Sequence, residues 1–273
     1  MRLHTVYRSA PGENRKNRPP FYSKEVALRS FVAAIDELPE GERIFVNDGD
    51  LPDPRRSLME SNATEMIQLD GVGNARSYRA CVALTDARSW SDDDIVYFAE
   101  DDYLYAPGAF RRLAEAVEQI RDGAYFTLYD HPDYYSMRAH RTFSRIRRHP
   151  EHALADVSWR QVRSTCLTYA ARVGAIRRDS WVHYLCSRDR TPLDYPIWSI
   201  VEGAGGFIVP RLLKPAPRPD ELGILRRHIG RLVYGHWPRN PLYACRPGLA
   251  THLETTGLSP GRDWAGVAAA LAS

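Results

Sequence analysis

Residues Ile95-Val96-Tyr97-Phe98-Ala99 form an unbroken apolar run that stops abruptly at Glu100-Asp101-Asp102. A run with no polar face reads as a strand covered on both sides, the habit of parallel sheets carrying helices on each face. A sheet with one wet face would show alternation instead. The acidic triplet adds a second constraint. Carboxylates this close repel and raise one another's pKa unless a cation or a basic group offsets them. In an open α/β sheet, ligands bind outside the carboxyl ends of the strands, where this triplet falls.

The first 130 residues repeat the strand-then-helix theme. A β-type run covers Leu3 to Tyr7, and Ser23 can cap a helix with Leu28, Phe31, Ile35 and Leu38 on one face, stopped by Pro39. A second β-run, Arg43 to Asn47, ends at Asp48-Gly49-Asp50; a short helix and a third strand, Thr64 to Leu69, follow. Beyond Gly71 and Gly73, Asn74 to Thr85 reads as a helix. Pro107-Gly108 opens an amphipathic helix bearing Phe110, Leu113, Ala116, Val117 and Ile120, before a strand from Tyr125 to Tyr129 that ends in Asp130. Such alternation predicts an α/β fold with a mostly parallel central sheet flanked by helices.

After residue 130 the pattern loosens. Residues 131–158 read as a long loop rich in His, Arg and Tyr, followed by strands at Gln161 to Thr165 and Leu167 to Ala171 and a helix from about Asp179 to Cys186. Ten of the 19 prolines lie between Pro192 and Pro260, so this stretch reads as loop-rich cover. The expected organisation is one continuous domain with a nucleotide-binding half, 1–130, and a more irregular half with the C-terminal segment, 131–273.

Composition narrows the classes. With 44% hydrophobic and 26% charged residues, the chain excludes disorder and fibrous folds. A net charge of +3 over 273 residues does not predict a nucleic-acid binder, which normally shows a dense basic stripe, and the excess of Arg over Lys fits a GC-rich genome. Met1 to Arg18 is polar, without a signal-peptide core, and the four cysteines form no C-x-x-C pair, so reduced thiols and a cytoplasmic location are expected. Hard carboxylate oxygens such as those of 100–102 suit Mg²⁺ or Mn²⁺, which in turn hold a substrate diphosphate.

The segment Glu100-Asp101-Asp102-Tyr103-Leu104-Tyr105-Ala106-Pro107-Gly108-Ala109-Phe110 resembles the metal-binding motif of GT-A glycosyltransferases. It is most similar to the E-D-D-L-x-x-A-P-x-F-F form of N-acetylglucosaminyltransferase I and its relatives. The resemblance implies a GT-A-like, Rossmann-like fold and transfer of a sugar from a nucleotide-sugar donor. It implies Asp102 as the metal ligand and Asp101, with Glu100 beside it, at the nucleotide sugar. Landmarks elsewhere follow the family's order: Tyr7-Arg8 at the end of the first strand for the nucleobase, Asp48 ending the second for base or ribose, and Asn74 and Arg76 after the Gly71–Gly73 loop facing the nucleotide. A late His of such enzymes often joins the metal or phosphate site, and His252 stands in the similar segment, with His228 and His236 as competitors.

Inverting transfer needs a second carboxylate to take the acceptor proton. Asp194, before the aromatic stretch Tyr195-Pro196-Ile197-Trp198, is the first candidate, although Leu193 stands where the family has an acid; Asp189 and Glu202 are alternatives. The loop His131 to Tyr135 offers aromatic stacking to a carbohydrate, lipid-linked or small-molecule acceptor. The basic runs Arg138 to His149 and Arg226 to Arg231 suit an anionic acceptor or peripheral membrane contact. Two other functions share the pattern: sugar-phosphate nucleotidyl transfer, weakened by a loop from Arg8 to Arg18 with a single Gly12, and a non-catalytic carbohydrate-binding module.

Overall fold

The Ile95–Ala99 run lies in the middle of a nine-stranded sheet and is covered on both faces. The structure is a computed structural model that describes residues 1–13, 17–38, 40–137, 151–188, 191–202 and 240–272. Its strands are β1 (Leu3–Ser9), β2 (Arg43–Asp48), β3 (Glu65–Leu69), β4 (Ile95–Glu100), β5 (Tyr103–Tyr105), β6 (Tyr125–Thr127), β7 (His152–Leu154), β8 (Val157–Gln161), β9 (Tyr169–Arg172), β10 (Leu242–Arg246) and β11 (Ala250–His252). The large sheet runs β3-β2-β1-β4-β9-β6-β10-β8-β7, and β5 and β11 form a separate ladder. Only β9 and β8 oppose the other seven strands, so the sheet is mostly parallel as expected. Strands from both sides of residue 130 share it.

Alternation along β4 divides two cores. Ile95, Tyr97 and Ala99 face one layer, with Leu28, Phe31 and Ile35 of α1 (Lys24–Ile35) and Phe110, Leu113 and Val117 of α4 (Ala109–Gln119). Val96 and Phe98 face the other, with Tyr78, Cys81 and Val82 of α3 (Asn74–Ala87), Ile176 and Val182 of α6 (Val173–Cys186) and Trp198 of α7 (Asp194–Val201). The remaining helices are α2 (Asp53–Asn62), α5 (Asp133–Ser136) and α8 (Trp264–Ala272). Ser23 caps α1 as expected, its Oγ accepting from Val26 N at 3.3 Å. Pro39, expected to stop that helix, lies outside the described residues.

The second half departs from expectation. The strand expected at 161–165 ends at Gln161, because β8 pairs with β10 through Cys245↔Trp159 and turns Trp159 fully inward. Val162 N still donates to Leu242 O at 2.9 Å, and residues 163–168 then leave the sheet. The strand expected from Leu167 starts at Tyr169, and α6 begins six residues before Asp179. Within the expected loop 131–158 lie α5, β7 and the start of β8, while 138–150, with the first basic run, lies outside the described residues. So do Asp189, the second basic run, His228 and His236. No described helix is long and apolar enough to cross a membrane.

The core behind β9 holds a titratable group that the fold keeps neutral. His183 is fully buried, with Nδ1 2.7 Å from the Tyr78 hydroxyl and its ring stacked on Tyr169. Burial pushes its pKa down to about 3. An unfolded histidine titrates near 6.5, so as pH falls through about 6.5 toward 3 only the unfolded chain gains the proton, and stability present above that window is lost within it. We expect His183→Asn to show about 2 kcal/mol less destabilisation than wild type between pH 7 and pH 5, measured by urea unfolding. An identical pH dependence in the two proteins would show that His183 protonates freely in the fold.

Candidate functional site

Strand order locates the crevice. From β1 the chain adds β2 and β3 on one side, then returns to place β4 on the other. Such a reversal opens a crevice outside the carboxyl ends of the two flanking strands, a favoured ligand position. Those ends are Ser9 and Glu100.

Register brings the first charges together. Arg8 pairs with Glu100 across the β1–β4 ladder, so both side chains lie on the α3 face. Arg8 Nη2 donates to Glu100 Oε1 at 2.6 Å, while Nη1 donates to Asn74 O at 3.0 Å, Asn74 Oδ1 at 2.5 Å and Ser77 Oγ at 3.2 Å. Burial works against the Arg8 charge, but the Glu100 carboxylate outweighs it and holds the guanidinium above its usual value. Glu100 also meets the Thr168 hydroxyl at 3.3 Å. Three residues nominated from sequence, Arg8, Asn74 and Glu100, therefore converge, and they bind one another.

Asp101 turns toward the segment after β1. Its Oδ2 accepts from Ser9 Oγ at 3.1 Å, Ala10 N at 2.9 Å and Lys24 Nζ at 2.8 Å. The buried Lys24 also donates to Ala10 O and Gly12 O, at 2.9 and 2.6 Å, so it gathers the loop onto the carboxylate. Asp102 Oδ2 accepts from Arg18 Nη2 at 2.9 Å and lies 3.0 Å from His252 Nε2. Each member of the triplet thus has its own basic partner: Arg8, Lys24 and Arg18. Burial opposes the Asp102 charge, but the His252 and Arg18 contacts outweigh it and hold the carboxyl well below the usual range.

His252 reaches Asp102 through the small ladder. β5 and β11 pair antiparallel with Tyr103 opposite His252, the Leu253 amide donates to Asp102 O at 2.9 Å, and the His252 ring stacks on Tyr103 at 5.1 Å. Its other nitrogen, Nδ1, lies 3.8 Å from Glu254. Burial disfavours the imidazolium, yet Asp102, Glu100 and Glu254 outweigh burial and raise its pKa above the ordinary value.

The remaining nominated residues separate. Tyr7 turns away from Arg8, with a simple cause: successive strand residues face opposite sides, so Arg8 points to α3 and Tyr7 into the other core, its ring centre 4.8 Å from that of Phe31 and 5.5 Å from that of Phe45, where the Asp101 and Asp102 charges still reach it. Asp48 accepts from Val72 N at 2.7 Å and Gly73 N at 2.8 Å, so it anchors the glycine loop rather than projecting from it. Gly73 has φ +86° with open space at its Cβ position, so glycine is needed there for backbone conformation, not for close packing. Arg76 is exposed on the first turn of α3. Asp194 opens α7 and is half-buried, and burial raises its carboxyl above the usual range. The half-buried Cys166 links it to the triplet: burial pushes the thiol up, and the charges of Asp194, Glu100 and Asp102 push it further. The alternative Glu202 is buried and accepts from Leu242 N at 2.7 Å, serving β10.

Sequence reading missed Arg18, Lys24, Thr168 and Cys166. The signal for the first two was the triplet itself, which demands nearby positive charge; Lys24 is one of three lysines in the chain. Asp102 and His252 are engaged with one another and with Arg18, and among the described residues no three His, Cys, Asp or Glu side chains are grouped to hold a metal.

No family model matches the sequence, and no curated protein does. Among solved structures, a 4-diphosphocytidyl-2C-methyl-D-erythritol synthase is similar over 67% of this chain and 80% of its own, at 13% identity and a TM-score of 0.38. A mycobacterial protein is similar over 97% of this chain and 70% of its own, at 15% identity and a TM-score of 0.42. At these values neither transfers a function to this chain.

Compensation at β4 can be measured directly. Arg8→Gln leaves Glu100 as a partly buried carboxylate without its partner, and the cost is about 3 kcal/mol in urea unfolding. Adding Glu100→Gln should recover most of that loss. Additive losses in the double variant would show that the two side chains stabilise the protein independently.

Proposed function

We propose that the chain is a metal-assisted glycosyltransferase that moves a sugar from a nucleotide-sugar donor, a UDP-sugar, to an acceptor hydroxyl with inversion. The observation that carries this reading is the meeting of Asp102 and His252, 150 positions apart in sequence, at 3.0 Å beside the point where strand order reverses. The GT-A resemblance pairs an acidic triplet with a late histidine in the same way.

On this reading Asp102 and His252 hold a divalent cation, Mn²⁺ or Mg²⁺, which when bound neutralises charge on the departing diphosphate. The N-terminus of α3, which Arg8 reaches at Asn74 O, has no side-chain cap from Gly73, and a helix N-terminus favours anionic oxygen. Asp194 takes the acceptor hydroxyl proton as the acceptor oxygen bonds to the anomeric carbon and the carbon–diphosphate oxygen bond breaks on the opposite face. Its raised pKa suits that role, since a base poised nearer neutral pH both accepts and releases a proton readily.

Calorimetric titration with UDP checks the donor site. We expect UDP binding to require Mn²⁺, Asp102→Ala to abolish that requirement together with most of the affinity, and Mn²⁺ alone to bind weakly. UDP that binds equally with and without metal, unaffected by Asp102→Ala, would remove the metal-assisted reading. Asp194→Asn should retain UDP binding while turnover falls by a factor of about 100 or more; turnover at the wild-type rate would exclude Asp194 as the base.

A second reading, sugar-phosphate nucleotidyl transfer, is favoured by Lys24 and Arg18, basic groups from the segment after β1 that reach the acidic triplet. Pyrophosphate release from UTP and a sugar 1-phosphate, without sugar transfer from a UDP-sugar, would select it.

A further inference from the structure

The same edge of the sheet carries a second concavity, at the carboxyl ends of β6 and β10. A cavity of about 440 Å³ is lined by Asp130, Pro132, Tyr135, Arg246, Pro247 and Leu258, with Pro260 and Gly261 at its margin. β6 and β10 are adjacent and parallel and share the direction of β4, so this cavity opens on the side of the molecule that carries the acidic triplet. β6 stands two strand spacings from β4 and β10 three, which places the two sites roughly 10–14 Å apart along the edge.

Its walls have a defined chemistry. Tyr135 is partly exposed and its ring is held rigidly: its hydroxyl donates to Asp130 Oδ2 at 2.6 Å, and the Arg160 and Arg246 guanidinium carbons lie 4.8 and 5.5 Å from the ring centre. Asp130 is almost wholly buried, and its other oxygen accepts from Arg160 Nη2 at 3.0 Å. Arg246 also acts on the Asp130 charge, so one carboxylate stands against two guanidiniums and the cluster keeps one net positive charge. Arg246 is exposed and makes no ion pair among the described residues. The cavity therefore offers an aromatic ring flanked by two guanidiniums, apolar proline and leucine walls and one net positive charge. A ring with a flat apolar face bearing a single anionic group fits that set.

Two histidines join this cavity to the candidate donor site. His131 precedes Pro132 of the lining, packs on Tyr129 at 4.9 Å and is close enough to His252 to feel its charge. Tyr129 in turn donates to Gly257 O at 2.6 Å, next to Leu258 of the lining.

We propose that this cavity is the acceptor subsite, and that the acceptor is a sugar ring carrying one carboxylate or phosphate, with Arg246 taking the anion and Tyr135 packing against the ring. The assignment to an acceptor rests on the transferase reading above; the binding chemistry does not. The test is calorimetric titration of the full chain with glucuronate, glucose 6-phosphate, glucose and inorganic phosphate, alongside Arg246→Gln, Tyr135→Leu and a separate UDP titration. We expect at least one anionic sugar to bind at least tenfold more tightly than glucose and than inorganic phosphate. Arg246→Gln, at an exposed position, should abolish that preference, and Tyr135→Leu should weaken the sugar while UDP binding stays at its wild-type value. Equal binding of glucose and both anionic sugars, or wild-type affinity in Arg246→Gln, overturns the proposal. So does inorganic phosphate binding as tightly as the sugars, which would mark a simple anion site. A preference for one anionic sugar over the other identifies the anion as carboxylate or phosphate. If UDP fails to bind while an anionic sugar binds through Arg246, the subsite stands and the transferase reading falls.

Discussion

Three carboxylates at the end of a buried strand must be neutralised, and most of the architecture around the crevice follows from how this is done. Two like charges about 4 Å apart at an effective dielectric of about 20 repel by about 4 kcal/mol, so an unmatched triplet would strain the strand end that carries it. Arg8 answers Glu100 from the neighbouring strand, Lys24 answers Asp101 from the start of α1, and Arg18 answers Asp102 from the segment between them. All three come from the first 24 residues. The same three pairs thereby fasten β1, the loop after it and α1 to the end of β4, and through the Arg18 contact with Leu253 O, at 2.7 Å, to the segment beyond β11. Charge balance and chain geometry are one constraint here.

What could be read from sequence was what local rules determine. The β4 run, the Ser23 cap and the one-sided faces of α1 and α4 follow from spacing over a few residues, and each appears as expected. The acidic triplet was legible as a site because clustered like charge is costly anywhere. The identity of its partners was not, because Arg18 and Lys24 sit in a polar segment whose path depends on the carboxylates it meets. Tyr7 and Arg8 show a finer limit: both end the first strand, but the period of two sends one into the core and the other to the crevice. His252 lay within reach of resemblance alone, since the ladder that delivers it joins two three-residue strands, β5 and β11, too short to announce themselves by pattern.

Beyond residue 130 the strands are ordered by pairing rather than by runs of one residue class. β8 alternates the buried Val157 and Trp159 with the half-buried Ser158 and Arg160 before ending at Gln161, and its end is set by the β10 register. β9 opposes both of its neighbours and closes the gap between β4 and β6. Long-range pairings of this kind leave little trace in a local window, which is why boundaries there shifted by several residues while the first half kept its frame.

The charge balance also bears on how a nucleotide diphosphate would enter. With Asp101 and Asp102 already matched by Lys24 and Arg18, a divalent ion arriving alone adds charge to a neutral cluster and finds one oxygen and one nitrogen. A diphosphate arriving alone likewise adds charge to that neutral cluster. Together they cancel: the ion draws on Asp102 and His252, and the phosphates can share Arg18 or Lys24 and the first amides of α3. Coupled entry is thus the electrostatically favoured order on the proposed reading. It gives the basic partners of the triplet a use beyond folding, since a cation held on a carboxylate is already positioned for the anion that replaces it.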